Sequence, residues 1–529
     1  MENARRAGAV LRALVEAGVG PVYVAPGSRS TPLVLELLRR PELSPLLVLD
    51  ERAAGYAAVG SARVGHLAAV ITTSGTAVAN LMPAIVEADI DEVPFVAVTA
   101  DRPWHEMNTG ANQTIRQGDL FSDRARAAID VPASEVHEDV RRRIADVLLR
   151  VKGPRPGPVH LNVRFELPLE PEHEPPEPRA LEAPPPAPEL VPHAAALARL
   201  AHELEGAERG LVVVGALRLE DRADTSKLVE SLGWPWTADI TSGLPRGSDA
   251  LLPASLLGLP RPDRVLWIGG RMTNPRVEEW LEGARVSKLT STEARRDPNG
   301  LSMITVVGRL SASVDSILGS RIPPSAFPRT VARPIEPPAT MNEPRVAMEV
   351  LAAARTGDVL VIGNSMPIRD ADRFGARMAP GVLVVTNRGA SGIDGMIGLT
   401  LGAAHASRRP TTALIGDQTL LHDLGSLATL VSSGLPIRII VVNNGGGGIF
   451  SFLPVAARSG WPERWFAAPH AIDLSVVGRS LGLKTDRPVD LSSFVERLSE
   501  SPTGPELIEI RARRDENLAL HRALDRASS

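Results

Sequence analysis

A chain of 529 residues, 43% hydrophobic and 23% charged, has the composition of a globular protein. At about 150 residues per domain it has room for roughly three domains. A net charge of −4, with no basic stripe or tail, argues against nucleic acid or an anionic membrane as partner. The absence of cysteine excludes disulfides, thiolate metal sites and a cysteine nucleophile.

The opening residues MENARRAGAVLRALVEAGVG read as an amphipathic helix with Val10, Leu11, Leu14 and Val15 on one face, not as a secretory leader. No apolar run is long enough to span a bilayer, so the expectation is a cytoplasmic protein without membrane insertion. PVYVAPGSRS reads as a strand and turn, and STPLVLELLRR as a helix that Ser30 or Thr31 can cap, with Pro32 in its first turn. LLVLDE is a second strand ending at Glu51, and RAAGYAAVGSAR a small-residue helix. LAAVITTSGT and VPFVAVTADRP continue the alternation, which predicts a parallel sheet covered on both faces.

Two proline-rich stretches, 171–192 and 323–344, read as semi-rigid linkers. They divide the chain into segments 1–170, 193–322 and 345–529. GLVVVGA and RVLWIGGR give the middle segment a weaker version of the same plan. The third repeats it with DVLVIGNS, VLVVTNRGASG, TTALIGDQ and IRIIVVNNGGGG. The expected fold is α/β, with three doubly wound parallel-sheet domains. Ligands of such sheets bind at the carboxyl ends of the strands.

The glycines after Asn444 are not a Walker loop, since no Gly-Lys pair occurs anywhere in the chain. Gly416-Asp417 and Asn443-Asn444 end two strands separated by one predicted helix. A right-handed crossover can bring those ends together. Asp417, the Asn444 amide oxygen and a glycine carbonyl would then offer three hard oxygens suited to Mg²⁺. The same residues could instead cap a helix and form a turn, and spacing alone does not choose.

The Gly-Asp…Asn-Asn pattern resembles the metal–diphosphate motif of thiamine-diphosphate enzymes, in which the ligands correspond to Asp417, Asn444 and Gly446. Such an enzyme also needs a carboxyl group against the cofactor's aminopyrimidine ring. Glu51 matches it, although a helix-start carboxylate favoured by the helix dipole is the plainer reading of that residue alone. PGSRSTPL, TTSGTAVANL, TADRP, GANQTIRQ, GNSMPIRD, NRGASGIDG and NNGGGGIFSFLP, in this order, narrow the resemblance. They are similar to the 2-succinyl-5-enolpyruvyl-6-hydroxy-3-cyclohexene-1-carboxylate (SEPHCHC) synthase family of menaquinone biosynthesis.

That resemblance implies decarboxylation of 2-oxoglutarate and 1,4-addition of the succinyl carbanion equivalent to isochorismate. It implies thiamine diphosphate with Mg²⁺ or Mn²⁺ as cofactors, and a homodimer or dimer of dimers with shared active sites. Glu51, Gln113, Arg369 and Arg388 become catalytic candidates. Ser391, Gly392, Ile393, Ile449 and Phe450 join Glu51 and the three metal ligands around the cofactor. Ser365, Arg369 and Arg388 would hold the succinyl-side carboxylate. Ser28, Arg29, Arg102, Asn112, Gln113 and Arg276 would face isochorismate, with Leu453 on an apolar wall. Arginine suits dicarboxylates because its planar fork binds a carboxylate bidentately. Each of these arginines taken alone is more simply a surface ion pair, and Leu453 a plain core residue.

The sequence departs from the family pattern at Pro275, where a lysine is expected before Arg276. His66, His105 and His422 carry no assigned role. The nearest rival is another thiamine-diphosphate carboligase or decarboxylase of the acetolactate-synthase kind.

Overall fold

The computed structural model describes the chain except residues 1, 135–136, 172–188, 247–249, 294–296, 330–335, 376, 459 and 529. Most of the first proline-rich stretch and the centre of the second lie outside the described residues.

Three six-stranded sheets, all parallel, account for the strands. The first holds β1 Pro21–Val24, β2 Ser44–Leu47, β3 Ala69–Thr72, β4 Phe95–Asp101, β5 Ala128–Val131 and β6 Pro158–Arg164, in the order β2-β1-β3-β4-β6-β5. The second holds β7 Gly210–Val214, β8 Trp236–Ala238, β9 Ala250–Leu251, β10 Arg264–Ile268, β11 Arg285–Thr290 and β12 Ser302–Val307, ordered β12-β11-β10-β7-β8-β9. The third holds β13 Val359–Ile362, β14 Leu383–Thr386, β15 Thr411–Gly416, β16 Ile437–Asn443, β17 Lys484–Asp486 and β18 Glu506–Arg511, ordered β14-β13-β15-β16-β18-β17. The expected doubly wound α/β class is therefore what the chain adopts. The central strands are apolar and buried end to end, as in sheets covered on both faces.

The first and third sheets share one strand order, with the connectivity reversing beside β1 and β13. The second has the order of dinucleotide-binding sheets, reversing between β7 and β10. Its crevice is occupied by its own backbone: Gly270 N donates to Ala216 O at 2.8 Å. A Cβ on Gly215 would stand 2.0 Å from Gly270 O.

The chain divides into two compact units. One comprises residues 1–188, 387–408 and 422–435, and the other 189–386, 409–421 and 436–529. The amphipathic helix Glu2–Glu16 belongs to the first and buries Val10, Leu11 and Leu14 in the sheet's core, with Val15 partly buried. In the same unit, helix Glu51–Arg63 packs on helix Met396–Ser407 almost backbone to backbone. A Cβ on Gly402 would lie 1.9 Å from Ala57 O, and one on Gly398 would lie 2.5 Å from Ala53 O. Asp423 joins the starts of both helices, accepting from Ile397 N at 2.8 Å and pairing with Arg52 at 3.3 Å.

Four local readings are corrected. Ser30 occupies the N-cap position of helix Thr31–Leu37, but its hydroxyl donates back to Gly27 O and makes no cap bond. Strand β2 stops at Leu47, and Glu51 is the first residue of a helix capped by Asp50. The single helix expected between β15 and β16 is two, Asp417–His422 and Ser426–Ser433. The break comes where Asp423 turns its carboxylate to the other helix instead of solvent. Finally, Glu343 and Pro344, read as linker, begin helix Glu343–Ala353 behind an Asn342 cap.

Replacing Gly402 with Val should lower the melting temperature by an amount reflecting on the order of 3 kcal/mol, since the clash is with a carbonyl that cannot move aside. A thermal melt checks this, with Gly425→Ala, whose surroundings are open, as the control that should melt close to the parent.

Candidate active site

In the first unit the named residues gather on loops at the carboxyl ends of β1, β3 and β4. Arg29 is buried and donates to Phe165 O at 2.9 Å. Burial, and then Arg102 nearby, hold its pKa below the usual arginine value. Arg102 pairs with Glu106 at 3.2 Å. Gln113 lies against Gly75, where a Cβ would meet its side chain at 2.7 Å. Beneath it, Gln117 accepts from Gly75 N at 3.2 Å and donates to Ala100 O and Asn162 Oδ1. That buried layer fixes the height of the Gln113 loop. Glu51 Oε2 accepts from Asn80 Nδ2 at 3.0 Å. Ser28 and Asn112 lie in the same loops, on the exposed side.

Segment 387–395 belongs to the same unit and carries Arg388, Ser391, Gly392 and Ile393. It is clamped by Glu87, a buried carboxylate accepting from Gly389 N at 2.8 Å and Ala390 N at 2.6 Å. Arg63 holds Glu87 and Asp91 in turn. Tyr56 donates to Asp394 at 2.7 Å, closing the segment's far end. Glu87, Tyr56 and Gln117 support the loops that carry the candidate residues, and sequence reasoning missed them.

Three candidates hold backbone conformations that side chains rarely adopt: Gln113 at φ 59°, Ser391 at φ 60° and Ser365 at φ 71°. Such strain persists only where surrounding structure enforces it, and it clusters at functional sites.

The second unit holds the proposed metal ligands. Asp417 follows β15 directly, while Asn444 and Gly446 follow β16, its neighbour in the sheet. Asp417 accepts from Gln418 N at 2.6 Å and Gly446 N at 2.8 Å. Burial raises its pKa, and those bonds oppose the shift. His470 Nε2 stands 3.3 Å from Asp417 Oδ2, off the hydrogen-bonding direction. Gly446 has φ 142°, and a Cβ there would strike Ala467 O at 2.5 Å, so only glycine fits. Asn444 Nδ2 donates to Glu343 Oε1 at 2.9 Å, while its Oδ1 is buried with no hydrogen-bond partner. Burial, then the nearby Asp370, push the Glu343 carboxyl up to about 8. Among the described residues, no group of three or more His, Asp or Glu side chains could hold a metal ion. A cation here would draw on the Asp417 carboxylate together with amide and backbone carbonyl oxygens. An orphaned buried amide oxygen beside a carboxylate and a bare carbonyl fits a hard divalent ion.

Beside this cluster, a cavity of about 420 Å³ is lined by Arg276, Arg369, Arg373, Ile449, Phe452 and His521, among others. Arg369 donates to Ser365 O at 2.6 Å, and burial lowers its pKa. Arg276 and Arg369 thus meet in one cavity, although both sit on helices following strands rather than at strand ends. Arg373, not anticipated from the sequence, brings a third guanidinium to a cavity next to Pro275. Phe450 lies edge-on to Phe466, and Leu453 is 41% exposed, so it is not a plain core residue.

With this geometry in view, the similarities are informative. Residues 5–120 match the thiamine pyrophosphate enzyme N-terminal TPP binding domain, and residues 371–510 match the C-terminal TPP binding domain. A SEPHCHC synthase from Rubrobacter xylanophilus is 38% identical, covering 98% of this chain and 96% of its own. Those from Myxococcus xanthus and Salinibacter ruber are 35% and 36% identical, over 99% and 97% of this chain and 96% and 94% of theirs. The chain belongs to the SEPHCHC synthase family. A solved structure described as a candidate thiamin diphosphate-dependent enzyme from Mycobacterium smegmatis shares the fold, with a TM-score of 0.74. It is 18% identical, over 95% of this chain and 98% of that one. Among the described residues, no helix is long and apolar enough to cross a membrane.

Proposed function

We propose that this enzyme decarboxylates 2-oxoglutarate and adds the succinyl carbanion equivalent 1,4 to isochorismate, giving SEPHCHC and CO₂ in menaquinone biosynthesis. The observation that carries the reading is the buried, unpartnered Oδ1 of Asn444 after β16, the strand next to the one that Asp417 follows, on a chain whose relatives bear that name along nearly their whole length.

Bound thiamine diphosphate supplies a nucleophilic carbon and an electron sink for the pair left when CO₂ departs. The protein's part is to place charge and exclude water. Asp417, Asn444 and Gly446 would hold Mg²⁺ or Mn²⁺ when the diphosphate is bound, and Ser391 and Gly392 would offer the cofactor further contacts. Glu51 would face the aminopyrimidine and supply the carboxyl group for proton transfer there. Ile393, Ile449, Phe450 and Leu453 wall the site and strengthen its electrostatics. Arg369, Arg388 and Ser365 bind the succinyl carboxylate. Ser28, Arg29, Arg102, Asn112, Gln113 and Arg276 receive isochorismate, whose enolpyruvyl group survives. Arg373 offsets the cation that Pro275 removes. Segments 1–170, 193–322 and 345–529 act as pyrimidine-binding, central and diphosphate-binding domains. Glu51 and Asp417 lie in different compact units. The family resemblance has the cofactor shared between the first segment of one copy and the third of another, and on that ground the active form is a cytoplasmic homodimer or a dimer of dimers.

The direct test follows isochorismate by absorbance with thiamine diphosphate, Mg²⁺ and 2-oxoglutarate. Loss should require every component, and pyruvate should not replace 2-oxoglutarate. Loss of CO₂ from 2-oxoglutarate with isochorismate untouched would overturn the acceptor, and preference for pyruvate would favour the acetolactate-synthase-like reading.

Replacing Glu51 with Gln should preserve cofactor binding and cut turnover by about 10²–10⁴-fold. Unchanged steady-state turnover would remove Glu51 from the chemistry. In sedimentation velocity the active holoenzyme should run as a dimer or larger, and an active monomer would refute the shared site.

A further inference from the structure

An asparagine can ligate a cation only through its carbonyl oxygen, yet its side chain can turn over and present the amide nitrogen instead. Something must therefore fix which end of Asn444 faces the metal. Here Nδ2 donates to Glu343 Oε1 at 2.9 Å, and Oδ1 points into buried space without a partner. We propose that Glu343 is a positioning residue that locks the Asn444 amide with its oxygen toward the cation. This rests on the metal reading given above.

Glu343 is placed for that task and for little else. It is the first residue of helix Glu343–Ala353, where a carboxylate serving only the helix dipole would stay in water. Instead it is 5% exposed and reaches a residue 101 positions away. Asn342 already caps the helix, accepting from Arg345 N at 2.9 Å, so Glu343 is not needed as a cap. Its Oε1 accepts in either protonation state, because the proton of the neutral acid can sit on Oε2. Outer carboxylates that orient metal ligands are a general device, and losing one typically costs about 10–100-fold in metal affinity.

The test is Mn²⁺ titration of the intact protein with thiamine diphosphate present, read by electron paramagnetic resonance. Glu343→Asp keeps the carboxyl but shortens the reach, and should weaken Mn²⁺ binding by about 10–100-fold. Glu343→Gln removes the ionisable group but keeps an acceptor at the same reach, and should stay within about threefold of the parent. In an Asn444→Asp background both ends of the side chain are oxygens. There Glu343→Asp should cost no further affinity. A purely structural role would weaken binding in both backgrounds and would show in the melting temperature. Parent-like Mn²⁺ affinity in folded Glu343→Asp, or an equal loss in the Asn444→Asp background, overturns the proposal. Failure of the metal reading is distinguishable: Asp417→Ala would then bind Mn²⁺ as the parent does.

Discussion

The first compact unit depends on one unusually close contact, between helices Glu51–Arg63 and Met396–Ser407. Gly398, Gly402 and Gly60 let two backbones approach to where any Cβ would collide with a carbonyl. Such packing gains dispersion contacts along both helices and leaves little freedom to slide. Glu51 is the first residue of one helix, and the segment bearing Arg388, Ser391 and Gly392 leads into the other. The glycine contact therefore sets their separation before any ligand arrives. Asp423 reinforces it by bonding to the amides that begin one helix and to Arg52 at the start of the other.

Around this contact the chain places a buried carboxylate and a buried amide under two of the candidate loops. Glu87 holds the backbone amides of Gly389 and Ala390, and Gln117 holds Gly75. In the second unit the logic is inverted. Asp417 and Asn444 sit on neighbouring strand ends, and one polar atom, Asn444 Oδ1, is buried and left unsatisfied. Burying such an oxygen without a partner costs about 1–3 kcal/mol, which a bound cation would recover. The first unit thus satisfies the backbone amides of its loops, whereas the second leaves a buried amide oxygen unpaired.

Much of this was legible in the sequence because apolar runs ending in Gly, Asn, Asp or Ser betray parallel strands and their functional ends. Asp417, Asn444 and Glu51 stood out because they interrupt such runs. The helix break at Asp423 did not, since nothing local says that its carboxylate serves a distant helix. Glu87 and Glu343 were invisible for a related reason. Glu87 is one of several carboxylates on a helix, where the default is a solvated face, and Glu343 falls in a stretch that reads as linker; only the fold brings their partners, two backbone amides and an asparagine, within reach. The positive φ of Gln113, Ser365 and Ser391 has no residue-type signature either, since tertiary contacts impose it.

The central claim is that Glu51 and the Asp417 cluster serve a single thiamine diphosphate. Its most direct test is the rate of hydrogen–deuterium exchange at C2 of the protein-bound cofactor, compared between the parent and Glu51→Gln with Mg²⁺ present. The account predicts fast exchange in the parent, exchange slowed by about 10²-fold or more in the variant, and cofactor still bound in both. Equal rates in the two proteins would contradict it.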